Sequence, residues 1–173
     1  MKKFSIIVAA DEKMGIGKDN ALPWPRLKED MKYFADVTTR AAAGMKNAVI
    51  MGRKTWESIP AGRRPLEGRL NVVLSRGSVA LPEGVLLFHS LEDALADLSN
   101  MKEVDQLFVI GGANVFEQAL AHPQCEKIYL TKIAGGFECD TFLPPIGEDF
   151  RQVSQSAQQE DDGIWYWFEA YER

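Results

Sequence analysis

The apolar run Leu107-Phe108-Val109-Ile110 passes through Gly111-Gly112 directly into Ala113-Asn114-Val115-Phe116, the start of an amphipathic segment. Residues without side chains at a strand-to-helix junction let a phosphate approach backbone N–H groups at the positive end of a helix. A Gly-Gly pair also suits a tight turn that binds nothing, and alone it does not separate these readings. A second anion candidate follows Ala48-Val49-Ile50-Met51, where Gly52-Arg53-Lys54-Thr55 sets two cations and a hydroxyl at a helix start. Cations there oppose the helix dipole unless an anion offsets them. A third stands where Leu74 is followed by Ser75 and Arg76. Singly, each is an ordinary solvated group. Together, phosphate-type donors at three strand ends imply a nucleotide bearing more than one phosphate, and the extra cations favour a phosphorylated ribose.

Two further residues carry charge toward apolar surroundings. Asp30 lies in the segment Leu27 to Thr39, where Leu27, Met31, Phe34 and Ala35 share a helical face and Lys28, Glu29 and Lys32 fall on the wet side. Asp30 borders the apolar face, one turn from Phe34. An acid in a first turn favours the helix dipole, and a carboxylate between apolar walls presents a bidentate acceptor to a planar amidine-like group; both readings stand. Arg69 follows the turn Arg63-Arg64-Pro65-Leu66-Glu67-Gly68 and opens a strand. Its guanidinium suits a carboxylate clamp, or else a surface pairing with Glu67 or water. Trp24, Phe34, Trp56, Phe116, Trp165 and Trp167 read individually as packing residues.

The elements that must position these groups recur regularly. Strand-like runs occur at Phe4 to Ala10, Asn47 to Met51, Leu70 to Ser75, Val85 to Phe88, Leu107 to Ile110 and Lys127 to Ile133. Helical segments are predicted over Leu27 to Thr39, Thr55 to Ile59, Leu91 to Leu98 and Ala113 to Ala121, with Ser90 capping the third. Alternation of strand and helix through residue 133 predicts a parallel sheet covered on both faces. The tail changes character. Phe150 to Ser156 and Ile164 to Tyr171 read as antiparallel strands joined by a polar turn over residues 159 to 163. Gly15 to Pro25, Pro60 to Gly68 and Gly135 to Pro145 read as loops of one domain spanning residues 1–173.

Composition narrows the class. The chain has 173 residues, 46% of them hydrophobic, enough for a substantial core, and a net charge of −5. Residues 1–76 carry +7 and residues 77–173 carry −12. The cations are dispersed among apolar strands instead of forming a polyanion track, so a local anion site is expected and nucleic acid is not. No apolar run reaches the ~20 residues of a membrane span. Two cysteines and two histidines in no ligand-like spacing point away from a metal cluster or disulfide framework, and a cytoplasmic protein with reduced thiols is expected.

The ordered set Met14-Gly15-Ile16-Gly17-Lys18, Leu22-Pro23-Trp24-Pro25, Val49-Ile50-Met51-Gly52-Arg53-Lys54-Thr55-Trp56, Arg64-Pro65-Leu66-Glu67-Gly68-Arg69, Val109-Ile110-Gly111-Gly112 and Glu138-Cys139-Asp140-Thr141 closely resembles the dihydrofolate reductases along essentially the whole chain. The resemblance implies an α/β fold: an eight-stranded, mostly parallel sheet with an antiparallel C-terminal strand and flanking helices. It implies NADPH as cofactor, dihydrofolate as substrate, antifolate-type inhibitors as further ligands and a monomer. The family's pterin-binding acid falls on Asp30. Ile7, Leu22, Phe34, Ile59 and Ile110 match walls around the substrate rings; Thr131 matches the hydroxyl supporting the acid, Trp24 the indole holding a water, and Arg69 the α-carboxylate clamp. For the cofactor, Ala9, Ile16, Gly17, Ile110, Gly111, Gly112, Ala113, Val115 and Phe116 match the nicotinamide and pyrophosphate side. Gly52, Arg53, Lys54, Thr55, Leu74, Ser75 and Arg76 match the phosphate-binding groups. The segment Met14 to Trp24 resembles a mobile lid.

Two departures accompany the resemblance. Phe116 stands where many relatives carry Tyr, and His89 stands where some carry Arg or Lys near the adenosine phosphate. The implied reaction is hydride transfer to pterin C6 with protonation at N5. The riboflavin-pathway reductases, which share a similar architecture and use NADPH, lack the pairing of a helix acid after Leu-Pro-Trp with an Arg-Pro-Leu-x-Gly-Arg clamp. A non-enzymatic nucleotide-binding module would leave Asp30 and Arg69 without work.

Overall fold

A computed structural model describes residues 1–173. The elements run β1 (Phe4–Ala10), β2 (Gly15–Gly17), α1 (Lys28–Thr39), β3 (Lys46–Gly52), α2 (Arg53–Ser58), β4 (Leu70–Leu74), β5 (Leu86–Phe88), α3 (Leu91–Asn100), β6 (Val104–Gly111), α4 (Ala113–Ala121), β7 (Cys125–Ile133), β8 (Thr141–Phe142), β9 (Arg151–Gln155), β10 (Gln159–Asp161) and β11 (Ile164–Glu172). The predicted alternation through residue 133 holds, and Ser90 caps α3 by accepting the Asp93 N–H at 3.0 Å. No helix is long and apolar enough to cross a membrane.

The main sheet has the order β10-β11-β7-β1-β6-β3-β4-β5, parallel from β7 to β5, with β11 antiparallel to β7. Continuous apolar runs in β1, β3 and β4 are buried on both faces, as central parallel strands require. Leu91, Leu95 and Leu98 of α3 and Val115, Phe116 and Leu120 of α4 pack with Ile6, Ile50 and Val109 on one face. On the other, Trp56 of α2 and Phe34 of α1 meet Ile7, Val49, Met51 and Phe108.

The tail differs from the sequence reading in detail. β9 and β10 both pair with β11, one after the other, so the sheet is eight strands across but contains nine. The predicted five-residue turn is shorter, because Gln159–Asp161 joins the ladder. Asp162 and Gly163, at φ +52° and +77°, make a two-residue turn of the Asp-Gly type whose twist matches the flanking strands. The second sheet, β2 against β8, lies in segments whose Gly and Pro content predicts loop. Its strands of three and two residues are too short to show a period.

The sheet order sets the location of the chemistry. β6, β3 and β4 are neighbours, and their C-terminal ends lie at one edge, Gly52 opposite Leu74 and Gly111 opposite Met51. A polar hollow of about 350 Å³ at the opposite edge is lined by Lys2, Lys3, Ser5 and Asp105 among others. Lys2 there already donates to the Met101 and Val104 carbonyls, and Lys3 pairs with Glu126 at 3.4 Å.

Candidate active site

A cleft of about 550 Å³ opens at the C-terminal strand edge, within the size range of small-molecule sites. Of the predicted site residues it brings together Ile7, Ala9, Ile16, Gly17, Leu22, Trp24, Asp30, Phe34, Thr55, Ile59, Ile110, Gly111, Gly112, Ala113, Phe116 and Thr131. Gly52, Arg53, Lys54, Arg69, Leu74, Ser75, Arg76 and Val115 do not line it. Val115 is a core residue, and Gly52, Leu74 and Ser75 continue the same strand edge beyond the cleft. Met31, Tyr33, Leu66 and Arg63 also line the cleft and were not singled out from sequence.

Asp30 is 8% exposed, in the first turn of α1. The helix starts there because Leu27 is buried and Asp161 of β10 accepts the Lys28 N–H at 2.9 Å, a cap supplied from the far end of the chain. Thr131 of β7 donates its hydroxyl to Asp30 Oδ1 at 2.7 Å, leaving Oδ2 free of protein partners. Burial pushes the Asp30 carboxyl above the ordinary carboxylate range, and the Thr131 bond offsets only part of that.

A raised folded-state pKa has a defined stability sign. The contribution is fully present below the unfolded value and is lost as pH rises through the folded one, so the protein carries a buried-charge penalty at neutral pH. Asp30→Asn removes the charge and retains an acceptor for Thr131. The ligand-free variant is expected to melt at a higher temperature than wild type at pH 7, with the gap closing on acidification; calorimetry across pH checks this. A variant less stable at neutral pH would mean that the charge is compensated.

Arg69 lies outside the cleft lining, its guanidinium 5.9 Å from the ring centroid of Phe34, which lines it. Nε donates to the Glu67 carbonyl at 2.9 Å and Nη1 to Thr38 Oγ1 at 3.0 Å. Three of its five N–H groups are therefore left for a ligand. Burial lowers its pKa, opposed by the Glu67 charge. Asn71 pins the preceding turn, donating to the Leu66 and Arg69 carbonyls and accepting from the Leu66 N–H at 2.8 Å. Arg64 donates to the Trp56, Glu57 and Ile59 carbonyls at the end of α2, which fixes Ile59 at the cleft wall.

At the other arm, Gly112 precedes α4 and makes no side-chain cap, so the first N–H groups of that helix have no capping acceptor. Cβ atoms built on Gly111 and Gly112 would lie 3.4 and 3.3 Å from Thr55 Oγ1. Gly111 has φ +131°, a conformation that favours glycine. Arg53 pairs with Glu57 at 3.8 Å across solvent, and His89 Nδ1 lies 2.8 Å from the Ser75 carbonyl. Backbone donors, a hydroxyl and outlying cations thus fit a phosphate-bearing cofactor along this edge.

Asp140 Oδ2 accepts the Asp19 N–H at 3.0 Å and its own N–H donates to the Gly17 carbonyl at 2.9 Å, which ties the segment after β2 to the loop before β8. Trp24 is buried with Leu27, Ile133 and Tyr166, whereas Leu22 is half exposed at the mouth.

The chain matches the dihydrofolate reductase family model over residues 3–173. It is 42% identical to the dihydrofolate reductase of Drosophila melanogaster, covering 100% of this chain and 99% of that one. The dihydrofolate reductase of Gallus gallus is likewise 42% identical, with 100% and 97% covered. A bifunctional dihydrofolate reductase-thymidylate synthase of Glycine max is 44% identical over 99% of this chain and 34% of that longer protein. Full-length similarity of this degree, on a fold that gathers a buried carboxylate and an uncapped Gly-Gly helix start in one cleft, means that the chain belongs to the dihydrofolate reductase family.

Proposed function

We propose that in the NADPH-dependent reduction of dihydrofolate, the activity of this family, Asp30 is the only ionisable side chain working at the pterin ring. The observation that carries this is its buried carboxylate, held on one oxygen by Thr131 and free on the other, in an apolar cleft. The free oxygen and its neighbour accept from the planar N–H array of the pterin, as they would from the amidine edge of antifolate-type inhibitors. The anion raises the basicity of N5, and water reaching the cleft past Leu22 and Trp24 delivers the proton. Ile7, Phe34, Ile59 and Ile110 hold the ring system and exclude bulk water, and Arg69 clamps the substrate's α-carboxylate.

When bound, NADPH supplies the hydride that goes to pterin C6. Ala9, Ile16, Gly17, Ile110 and Phe116 would border its nicotinamide. Gly111, Gly112, Ala113 and Thr55 would meet the pyrophosphate with backbone N–H groups and a hydroxyl, while Gly52, Arg53, Lys54, Leu74, Ser75 and Arg76 would follow the adenosine end. Val115 supports the α4 start from the core.

Dihydrofolate-dependent oxidation of NADPH, followed at the nicotinamide absorbance, tests this reading. Removing Arg53 and Arg76 together is expected to narrow the preference for NADPH over NADH by more than tenfold, over ~1.4 kcal/mol. Unchanged selectivity in the double variant would move the ribose phosphate to other residues.

A further inference from the structure

Asp11 is fully buried, and the reaction described above gives it no task. It follows β1 directly and begins the segment that leads into β2. Its Oδ1 accepts the backbone N–H groups of Lys13 at 2.9 Å and Gly15 at 2.8 Å. Its Oδ2 accepts the Phe137 N–H at 2.9 Å and the Cys139 thiol at 3.7 Å. One side chain thus gathers donors from two segments that are more than 120 residues apart. Burial by itself would raise its pKa, but the Phe137, Gly15 and Lys13 N–H groups and the thiol outweigh it and keep the carboxyl below the ordinary range.

The surrounding geometry depends on that carboxylate. Met14 lies at φ +62°, a region that disfavours a residue with a side chain, between the two N–H groups that Oδ1 holds. Gly15 packs against Cys139 so closely that a Cβ there would clash with the sulfur. β2 then pairs with β8, Gly15 opposite Phe142 and Gly17 opposite Thr141, and the Leu143 N–H donates to the Met14 carbonyl at 2.8 Å. Ile16 and Gly17 emerge from this pairing into the cleft.

We propose that Asp11 is the positioning residue of the lid, clamping its first turn to the Phe137–Cys139 segment and so fixing where Ile16 and Gly17 meet the nicotinamide. The inference rests on reading the Met14 to Trp24 segment as the nicotinamide cover. Asp11 does not line the cleft, and its effect passes through the register of β2 on β8. An amide cannot replace it, because an NH2 group would face N–H donors on whichever side it turned, so Asp11→Asn keeps one arm and breaks the other. Asp11→Ser retains a single acceptor for the turn and leaves Phe137 without one.

The test uses the NADPH-bound enzyme. In both variants, amide hydrogen exchange over residues 13–18 is expected to rise, and NADPH dissociation in stopped flow to speed up by about tenfold. Dihydrofolate affinity of the cofactor-free protein should change by less than about twofold. Ser90→Ala, which removes the α3 cap, serves as a comparator that loses stability without touching the lid; it should leave both readouts unmoved. Unchanged exchange at residues 13–18 in both Asp11 variants would overturn the clamp, as would equal changes in Ser90→Ala. Faster exchange with unchanged NADPH dissociation would overturn the proposal through the lid reading on which it rests.

Discussion

Replacing Asp30 with Asn is expected to lower kcat/KM for dihydrofolate at neutral pH by about two orders of magnitude or more, the range usual for acid–base groups. Asn keeps the size of Asp and can still accept the Thr131 hydroxyl, so the cleft walls stay in place. What disappears is the negative charge that, on the proposed mechanism, favours protonation of N5. The loss should therefore fall on the chemical step, seen in single turnovers with a larger isotope effect from deuterated NADPH, while NADPH binding stays near wild type. Lowering the pH should restore part of the rate, because substrate protonated in solution no longer needs the carboxylate. Near-normal activity at neutral pH, or a rate that fails to rise in acid, would reduce Asp30 to a helix-end acid. The same substitution is expected to stabilise the ligand-free protein, so activity and stability move in opposite directions from one charge.

Arg69→Leu is expected to weaken dihydrofolate binding by roughly 2 to 5 kcal/mol, the cost of removing one partner of a desolvated, hydrogen-bonded ion pair. The site is prepared for such a pair: Thr38, Glu67 and Phe34 hold the guanidinium while three N–H groups remain for the ligand. Leucine cannot use those supports, but Thr38 and Glu67 lie outside the cleft lining, and NADPH affinity should change little. A folate analogue without its glutamate tail separates clamp from packing. Wild type and variant should bind that analogue about equally well; if the variant loses as much affinity for it as for dihydrofolate, Arg69 acts only through Phe34.

The parts of this molecule that were legible in sequence are those with a long period or a specific terminus. Ala113–Ala121 and Phe4–Ala10 agree residue for residue with α4 and β1, because a Gly-Gly stop and a polar flank bound them. The C-terminal strand edge was readable as a set of donors because β6, β3 and β4 are neighbours, which alternation of strands and helices makes natural without dictating the order. Asp30 showed itself by its position on a helix face, but its burial depends on Thr131, 101 residues away. Asn71 and Thr38 gave no sign, since a polar residue that satisfies a turn looks like any loop or helix polar residue until its partners are known. Asp11 was hidden for the same reason: two of its four donors, the Phe137 N–H and the Cys139 thiol, come from a segment that arrives only with the pairing of β2 and β8.

The cap that Asp161 places on the first turn of α1 has a consequence for synthesis on the ribosome. The helix bearing Asp30 is made well before Asp161 and before β11, which lies against Thr131 through Phe168. A nascent chain that already contains both cleft arms still lacks the acceptor for the Lys28 N–H and the outer neighbour of β7. The Lys28 N–H is therefore translated 133 residues before its acceptor, and until β11 follows, the exposed side of β7 is an unpaired edge that the cell must keep from other chains.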